Sequence, residues 1–499
     1  MSDVLAWPWL EVAIIAALCG SIVVSRIREP DRAATWGVAF TGIAFTAAFL
    51  ASLAFYLGVD TALLDRFSLQ YRWLGKRPLA LDELSAPLVP AVGLLHLMTA
   101  VATARTRMRR FSFSWSLASD ALRLALFSCQ ASWLLVGLLA LSTVPPYIEL
   151  VNRRRPTRVY LLHMAVFVGL LVIGWLGVDT RGNEPELARW ATLPLMMAIL
   201  IRCGTVPAHC WVTDWFEHAS FGNALLLVAP LSGVYAAVRL VLPVAPNWVL
   251  QGIGTASLVT AVYAAAMAIV QTEARRFFAY LFLSHAAVVL VGMELHTSIS
   301  LTGSLCLWFS IILSLGGFGL TLRALESRVG RLSLSSYHGL YEQSPALAVC
   351  FLLTGLASVG FPGTLGFVSS ELLIDGAIHA NLYVGLGVVL ASALNGIAVM
   401  RAYFRLFTGA RHVSTVSLAL GGRERFAVLV LSALILAGGF YPQPGVASRQ
   451  RAAEALLAKR GQIFVEEQDD DREDEHDNED ADHDDAAEAA RPPAAAQDD

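Results

Sequence analysis

The stretch Arg202-Cys-Gly204-Thr-Val-Pro207-Ala-His209-Cys-Trp211-Val-Thr-Asp214-Trp-Phe-Glu217-His218 opens an otherwise apolar run with glycine, proline and ionisable side chains. A second stretch, Gly355 to Asp375, does the same with Pro362, Gly363, Glu371 and Asp375. An opened backbone and a charge are both costly in lipid unless they line a cavity or touch protein. Paired interrupted helices point to an ion path in transporters built from internal repeats.

The surrounding composition is that of a membrane protein. Mean hydropathy is +0.59, and charged residues make up 15% of the 499, against about 25% in soluble globules. About fourteen apolar segments are each near the ~20 residues that cross a bilayer: roughly 10–25, 36–57, 85–104, 111–131, 132–150, 158–178, 189–211, 220–242, 250–271, 277–295, 299–322, 345–375, 381–407 and 424–441. Segment 111–131 is the weakest of these, because Ser112, Ser114, Ser116, Asp120 and Arg123 make it amphipathic. The first segment has no basic flank and no small-residue cleavage site, so a retained span is expected rather than a signal peptide. The expected class is an all-α polytopic membrane protein. Its parts are an N-terminal group of three helices (1–110), two blocks with one broken helix each (111–242 and 250–407), a last helix (424–445) and a disordered acidic tail (446–499).

The net charge of −4 hides two opposite regions. Residues 466–499 hold 17 acids and 2 arginines, leaving 23 acids and 34 Lys+Arg in 1–465. Such a tail buries too little apolar surface to fold alone. His476 and His483 within it are read as solvated rather than metal-binding. Arginines cluster in alternate loops, at 26–32, 105–110, 153–158, 275–276, 323–331 and 405–425. The positive-inside rule places those loops in the cytoplasm of a bacterial-type inner membrane, with both termini outside. The six cysteines form no CxxC motif and read as packing residues. No GxGxxG or GxxxxGK[ST] pattern is present, so no cofactor, metal or nucleic-acid partner is expected, and no catalytic site of the chain's own.

The motifs then become specific. The 202–217 stretch resembles the broken helix of the antiporter-like membrane subunits of respiratory complex I and of Mrp-type Na⁺/H⁺ antiporters, with Arg202 where that family has a lysine. Leu95-His96-Leu97, Glu273 to His285, Gly360 to Phe367, Tyr403 to Gly409 and Tyr441 to Pro444 resemble further family motifs in the same order, over about residues 85–445. The resemblance implies two inverted five-helix repeats, spans 4–8 and 9–13. It also implies a midplane row of ionisable residues that relays protons, and other membrane subunits and the lipid bilayer as partners.

Departures from the family pattern bear on mechanism. The chain has two lysines, Lys76 and Lys459, neither inside a span. A buried lysine trades its proton readily, whereas an arginine stays protonated. The fifth-span glutamate that the resemblance pairs with the broken-helix lysine falls on Ala140. The second broken helix carries Ser370 at the family's charged position, with Glu371 one place later.

The expected pathway is Arg202 as a fixed positive charge facing Asp214, Glu217 or Asp120; His209, Asp214, Glu217 and His218 as the polar mouth of a half-channel; His285 and Glu371 as titrating groups; and His96 mid-span. For each a plainer role competes: a pinned loop for Arg202 and the 209–218 group, a packing histidine for His96, His163 and His285, an outward-facing carboxylate for Glu371. The expected function is a proton- or cation-translocating subunit of a complex I-like or Mrp-like assembly. The alternatives are a membrane partner of a carbonic-anhydrase-like protein in inorganic carbon uptake, and a non-conducting anchor.

Overall fold

The computed structural model describes residues 5–59, 68–103, 111–179, 186–295, 297–410 and 421–460. The acidic run 466–499 lies outside them. Helices α1 (Trp9–Arg26) and α2 (Pro30–Tyr56) pair antiparallel. After the short α3 (Leu69–Leu74) they pack on α4 (Ser85–Val101) and α5 (Phe113–Ser128). A second group holds α6 (Ser132–Leu141), α7 (Val144–Asn152), α8 (Arg158–Leu176), α9 (Arg189–Cys203), α10 (Cys210–His218), α11 (Phe221–Val228) and α12 (Ser232–Ala236), the last running into a π-helical turn at Ala237–Val241. A two-residue antiparallel pair, β1 (Val178–Asp179) and β2 (Glu186–Leu187), bridges α8 and α9. The third group is α13 (Asn247–Val270), α14 (Ala274–Glu294), α15 (Ser298–Val329), α16 (Pro345–Val359), α17 (Leu365–Ala380) and α18 (Leu382–Phe407). Helices α19 (Gly422–Phe440) and α20 (Gln443–Arg460) close the chain, meeting at 79°.

Among the described residues, nine helical stretches are long and apolar enough to cross a membrane, or ten with the bent α19–α20 pair. The protein is therefore a multi-pass, predominantly helical membrane protein. The central stretches Phe221–Val241 and α15 are 94% buried, whereas α1 is 28% and α8 33% buried. The peripheral helices turn side chains such as Leu162, Val166, Ile173 and Leu176 outward, where hydrocarbon replaces protein as the apolar solvent.

Both interruptions share one local cause. Helix α9 ends at Gly204, whose φ of 73° is left-handed. Gly204 N donates to Ile201 O (3.1 Å) and Thr205 N to Leu200 O (2.9 Å), the Schellman arrangement that a C-terminal glycine permits. Thr205 Oγ1 also donates to Leu200 O, and Trp211 Nε1 to Ile201 O (2.9 Å). Helix α16 ends in the same way at Gly360 (φ 93°), with Phe361 N on Leu356 O (3.1 Å). Pro207 and Pro362 then follow, and neither carries an N–H that would continue a helix.

The amphipathic segment 111–131 forms α5, with Ser116, Asp120 and Arg123 buried. Its polar stripe faces the interior. The tail boundary expected at 446 moves to the far end of α20. Residues 446–460 are helical because buried Arg449 donates to Leu84 O (3.0 Å) and Arg460 to Ala245 O (2.8 Å). These bonds tie α20 to the end of the bundle that also holds the Asp82–Arg239 ion pair (2.6 Å).

Candidate functional site: a buried charge cluster beside the first broken helix

Helices α4 and α5 bring three ionisable side chains together with almost no solvent. His96 is 1% exposed, Asp120 0% and Arg123 7%. Arg123 Nη1 lies 2.9 Å from His96 Nε2. A guanidinium has no acceptor, so His96 Nε2 must accept and its ring proton sits on Nδ1. That nitrogen is 3.6 Å from Asp120 Oδ1, too far for a hydrogen bond. Both Asp120 oxygens lack a hydrogen-bond partner. A carboxyl group that faces an imidazole N–H across a short gap can take up a proton or release one.

A polar route leads toward this cluster from the arginine-rich end. A cavity of ≈ 610 Å³ is lined by Ser112, Trp115, Glu149, Asn152, Arg153, Arg155 and Asn223. Trp115, Glu149 and Asn223 also line a narrower space of ≈ 20 Å³ that reaches Ser116, Ser119 and Arg123. Between them, Glu149 accepts from Ser220 N (2.9 Å) and Asn223 Nδ2 (2.6 Å).

The expected site residues fall into separate places. Arg202 is 5% exposed, but it meets none of its expected carboxylates. Its Nη2 donates to Ser232 Oγ (2.8 Å), its Nη1 lies 3.6 Å from Met164 Sδ, and its Nε has no partner. Phe167 and Trp211 flank the guanidinium at 5.7 and 5.8 Å from their ring centres, a cation–π arrangement.

The expected carboxylates are engaged elsewhere. Asp214 faces His218 (3.2 Å), and Glu217 pairs with Arg276 (2.6 Å) at the arginine-rich end. Asp120 faces His96. His209 rests against the rings of Tyr263 and Tyr280. The 209–218 group is thus three local arrangements rather than one mouth.

His285 is buried, with Nδ1 2.8 Å from Leu281 O and Nε2 2.8 Å from Ser358 O. In an unbroken helix Ser358 O would accept from residue 362, which is proline. His285 takes up the acceptor that the second break leaves open. Only the imidazolium form can donate at both nitrogens. Glu371 lies exposed on α17. The expected single row through 202, 285 and 371 is therefore not assembled, because each residue turns to a different neighbour.

Sequence reasoning missed Arg123, Glu149, Asn223 and Ser232 as members of the site. Two of them carried a signal. Arg123 sat in a serine-rich span whose polarity needed an inward explanation. Glu149 stood alone after Pro145-Pro146, just ahead of an arginine loop.

The comparisons with known proteins agree with this architecture. The family model described as "NADH:quinone oxidoreductase/Mrp antiporter, TM" matches residues 161–395. Over that stretch, just under half of the chain, it is similar to the antiporter-like membrane subunits of complex I and Mrp antiporters. NADH-quinone oxidoreductase subunit M of Mycobacterium tuberculosis is 27% identical over 58% of this chain, a match that spans 54% of that relative. NAD(P)H-quinone oxidoreductase chain 4 1 of Synechococcus elongatus is 25% identical over 88% of this chain and 89% of its own length. Among solved structures, a chain of respiratory complex I from Thermus thermophilus superposes with a TM-score of 0.76 at 21% identity, covering 90% of this chain and 99% of that one. A chain of the Mrp complex from Dietzia sp. gives 0.77 at 18% identity, covering 93% and 99%.

Proposed function

We propose that this chain is a proton-translocating membrane subunit of a multi-subunit assembly of the complex I or Mrp kind. Its partners are the other membrane subunits of that assembly. The observation that carries this reading is the His96–Asp120–Arg123 cluster, three ionisable groups held without solvent at the end of a polar route past Glu149. Membrane interiors hold such groups at a cost of several kcal/mol, and proton relays are among the functions they serve. The family resemblance supports the same function from the sequence side.

In this reading the chain crosses the membrane fourteen times, with spans 4–8 and 9–13 as inverted repeats. The matching glycine caps at 204 and 360 support that pairing. Protons enter past Glu149 from the arginine-rich, cytoplasmic end and pass to His96 and Asp120. Arg123 and Arg202 act as fixed positive charges that set the field. His285 bridges Leu281 O and Ser358 O at the second break and can exchange a proton there. Both termini lie outside. The buried cations argue against a purely structural anchor, which would gain from replacing them with apolar side chains.

The test is proton flux in vesicles that hold the whole assembly, with Asp120→Asn against the parent. Loss of flux with assembly intact is the expected result. Unchanged flux would remove the cluster from the route.

A further inference from the structure

Arg202 sits in the interior beside the first break with no carboxylate against it among the described residues. Arg123 and Arg202 are both permanent cations in the interior, while Asp120 is the single fully enclosed carboxylate near them, one helical turn from Arg123. No ion pair joins Arg202 to a carboxylate among the described residues; its partners are a hydroxyl, a thioether and two ring faces. Arginine cannot shed its charge. An uncompensated guanidinium away from water is among the most costly arrangements a fold can hold.

A space of ≈ 20 Å³ lies against this side chain, walled by Leu227, Leu231 and Phe282 and reached by Ser232. It exceeds the roughly 10–15 Å³ needed to seat one water-sized sphere. It is too small for an oxyanion with several oxygens. Its side-chain polar groups are donors. Arg202 Nε–H has no acceptor. Ser232 Oγ already accepts from Arg202 Nη2, which leaves its own proton to give away. Donors without acceptors, beside an unmatched positive charge and inside apolar walls, suit an anion better than a cation or a neutral solute.

We propose that this pocket binds one small monovalent anion of halide size, which supplies the counter-charge that no side chain among the described residues gives Arg202. The proposal does not rest on the proton route, although a bound anion would offset the field that Arg202 adds there. The pocket is a structural anion site, whether or not the chain conducts.

The test uses the purified full-length chain in detergent or nanodiscs. Thermal unfolding is followed in sodium chloride or bromide against sodium gluconate at equal ionic strength, since gluconate is too large for the pocket. Equilibrium binding of radiolabelled chloride is measured in parallel. The parent should bind one halide per chain and melt higher in halide than in gluconate. Arg202→Met should abolish both effects. Ser232→Ala, which removes one donor, should weaken halide binding about tenfold. Equal melting in halide and gluconate together with no bound chloride would overturn the proposal. So would a halide effect that survives Arg202→Met. Should Arg202→Met fail to fold, Ser232→Ala decides: an unchanged halide affinity refutes the site.

Discussion

The two broken helices end on the same cap and are surrounded by different chemistry. At Gly204 the last helical turn carries Arg202, and α4 and α5 place His96, Asp120 and Arg123 in the same half of the bundle. At Gly360 the corresponding position is Ser358. The surroundings there are hydroxyl, amide and imidazole groups, with His285 on Ser358 O, Ser284 bonded to Ala261 O (2.8 Å) and Asn395 bonded to Ser284 (2.8 Å). Backbone geometry at a break is thus set by a glycine and a proline, whatever the charge. The charge is set by which side chains the neighbouring helices send in. In this chain it lies beside the first break rather than the second.

That contrast is easiest to break at Asp120. Asp120→Asn should lower proton flux through the assembled complex about a hundredfold, the scale of losing a positioned proton donor and acceptor. Asp120→Asn and Asp120→Ala should both in addition cost up to about 3–5 kcal/mol of stability, because each leaves Arg123 as an unmatched interior charge. Vesicle flux and thermal unfolding measure the two effects separately.

Glu149→Gln should reduce flux about tenfold and leave assembly intact, since the amide keeps an acceptor for Ser220 and loses the charge at the mouth. A loss as large as that of Asp120→Asn would move the rate-limiting step to the mouth.

On the other side of the comparison, His285→Ala leaves Ser358 O without a donor and should destabilise the chain by about 1–3 kcal/mol. His285→Gln, which keeps a donor, should cost less. If both variants abolish flux while melting normally, the second break conducts as much as the first.

A smaller effect is expected at Asp82, which lies outside the spans. Burial pushes its carboxyl up, but the hydrogen bond and charge of Arg239, helped by Ser85, outweigh burial and hold it below the usual carboxylate range. A lowered folded value contributes stability that is full above the unfolded value of about 3.9 and is lost as pH falls through the folded one. The parent should therefore lose melting temperature more steeply than Asp82→Asn as pH drops below about 5, and the two should converge in acid. Glu371→Gln should do least, with flux within about twofold of the parent and stability within about 0.5 kcal/mol, as for a surface change. A large effect there would restore the second half as a main route.

Much of the architecture was written in local pattern. Hydropathy marked a multi-pass helical chain, with nine or ten of the expected spans long and apolar enough among the described residues. Gly204, Pro207, Gly360 and Pro362 marked both breaks, because a left-handed cap and a missing N–H act on the backbone within one turn. The inward polarity of α5 was visible as a span that was too polar for lipid. The partners of the charges were not legible. Arg202 was expected to face Asp214, Glu217 or Asp120, yet it meets Ser232, Met164 and two rings. Glu217 is drawn away by Arg276, which is 59 residues distant in sequence. His285 was expected to act together with Glu371, and instead it closes the carbonyl that Pro362 leaves open.

The sequence by itself therefore determined that this is a multi-pass helical membrane protein, where its helices break, and which family it resembles, since those features depend on residues within a turn or two of one another. Only the tertiary structure decided that His96, Asp120 and Arg123 form one enclosed cluster, that Arg202 meets a hydroxyl, a thioether and two rings, and that Glu371 faces outward. The reason is physical. A charge inside a bilayer must be matched by whatever the packed helices bring within a few ångströms, and that match depends on helix rotation and crossing, which a linear pattern does not specify.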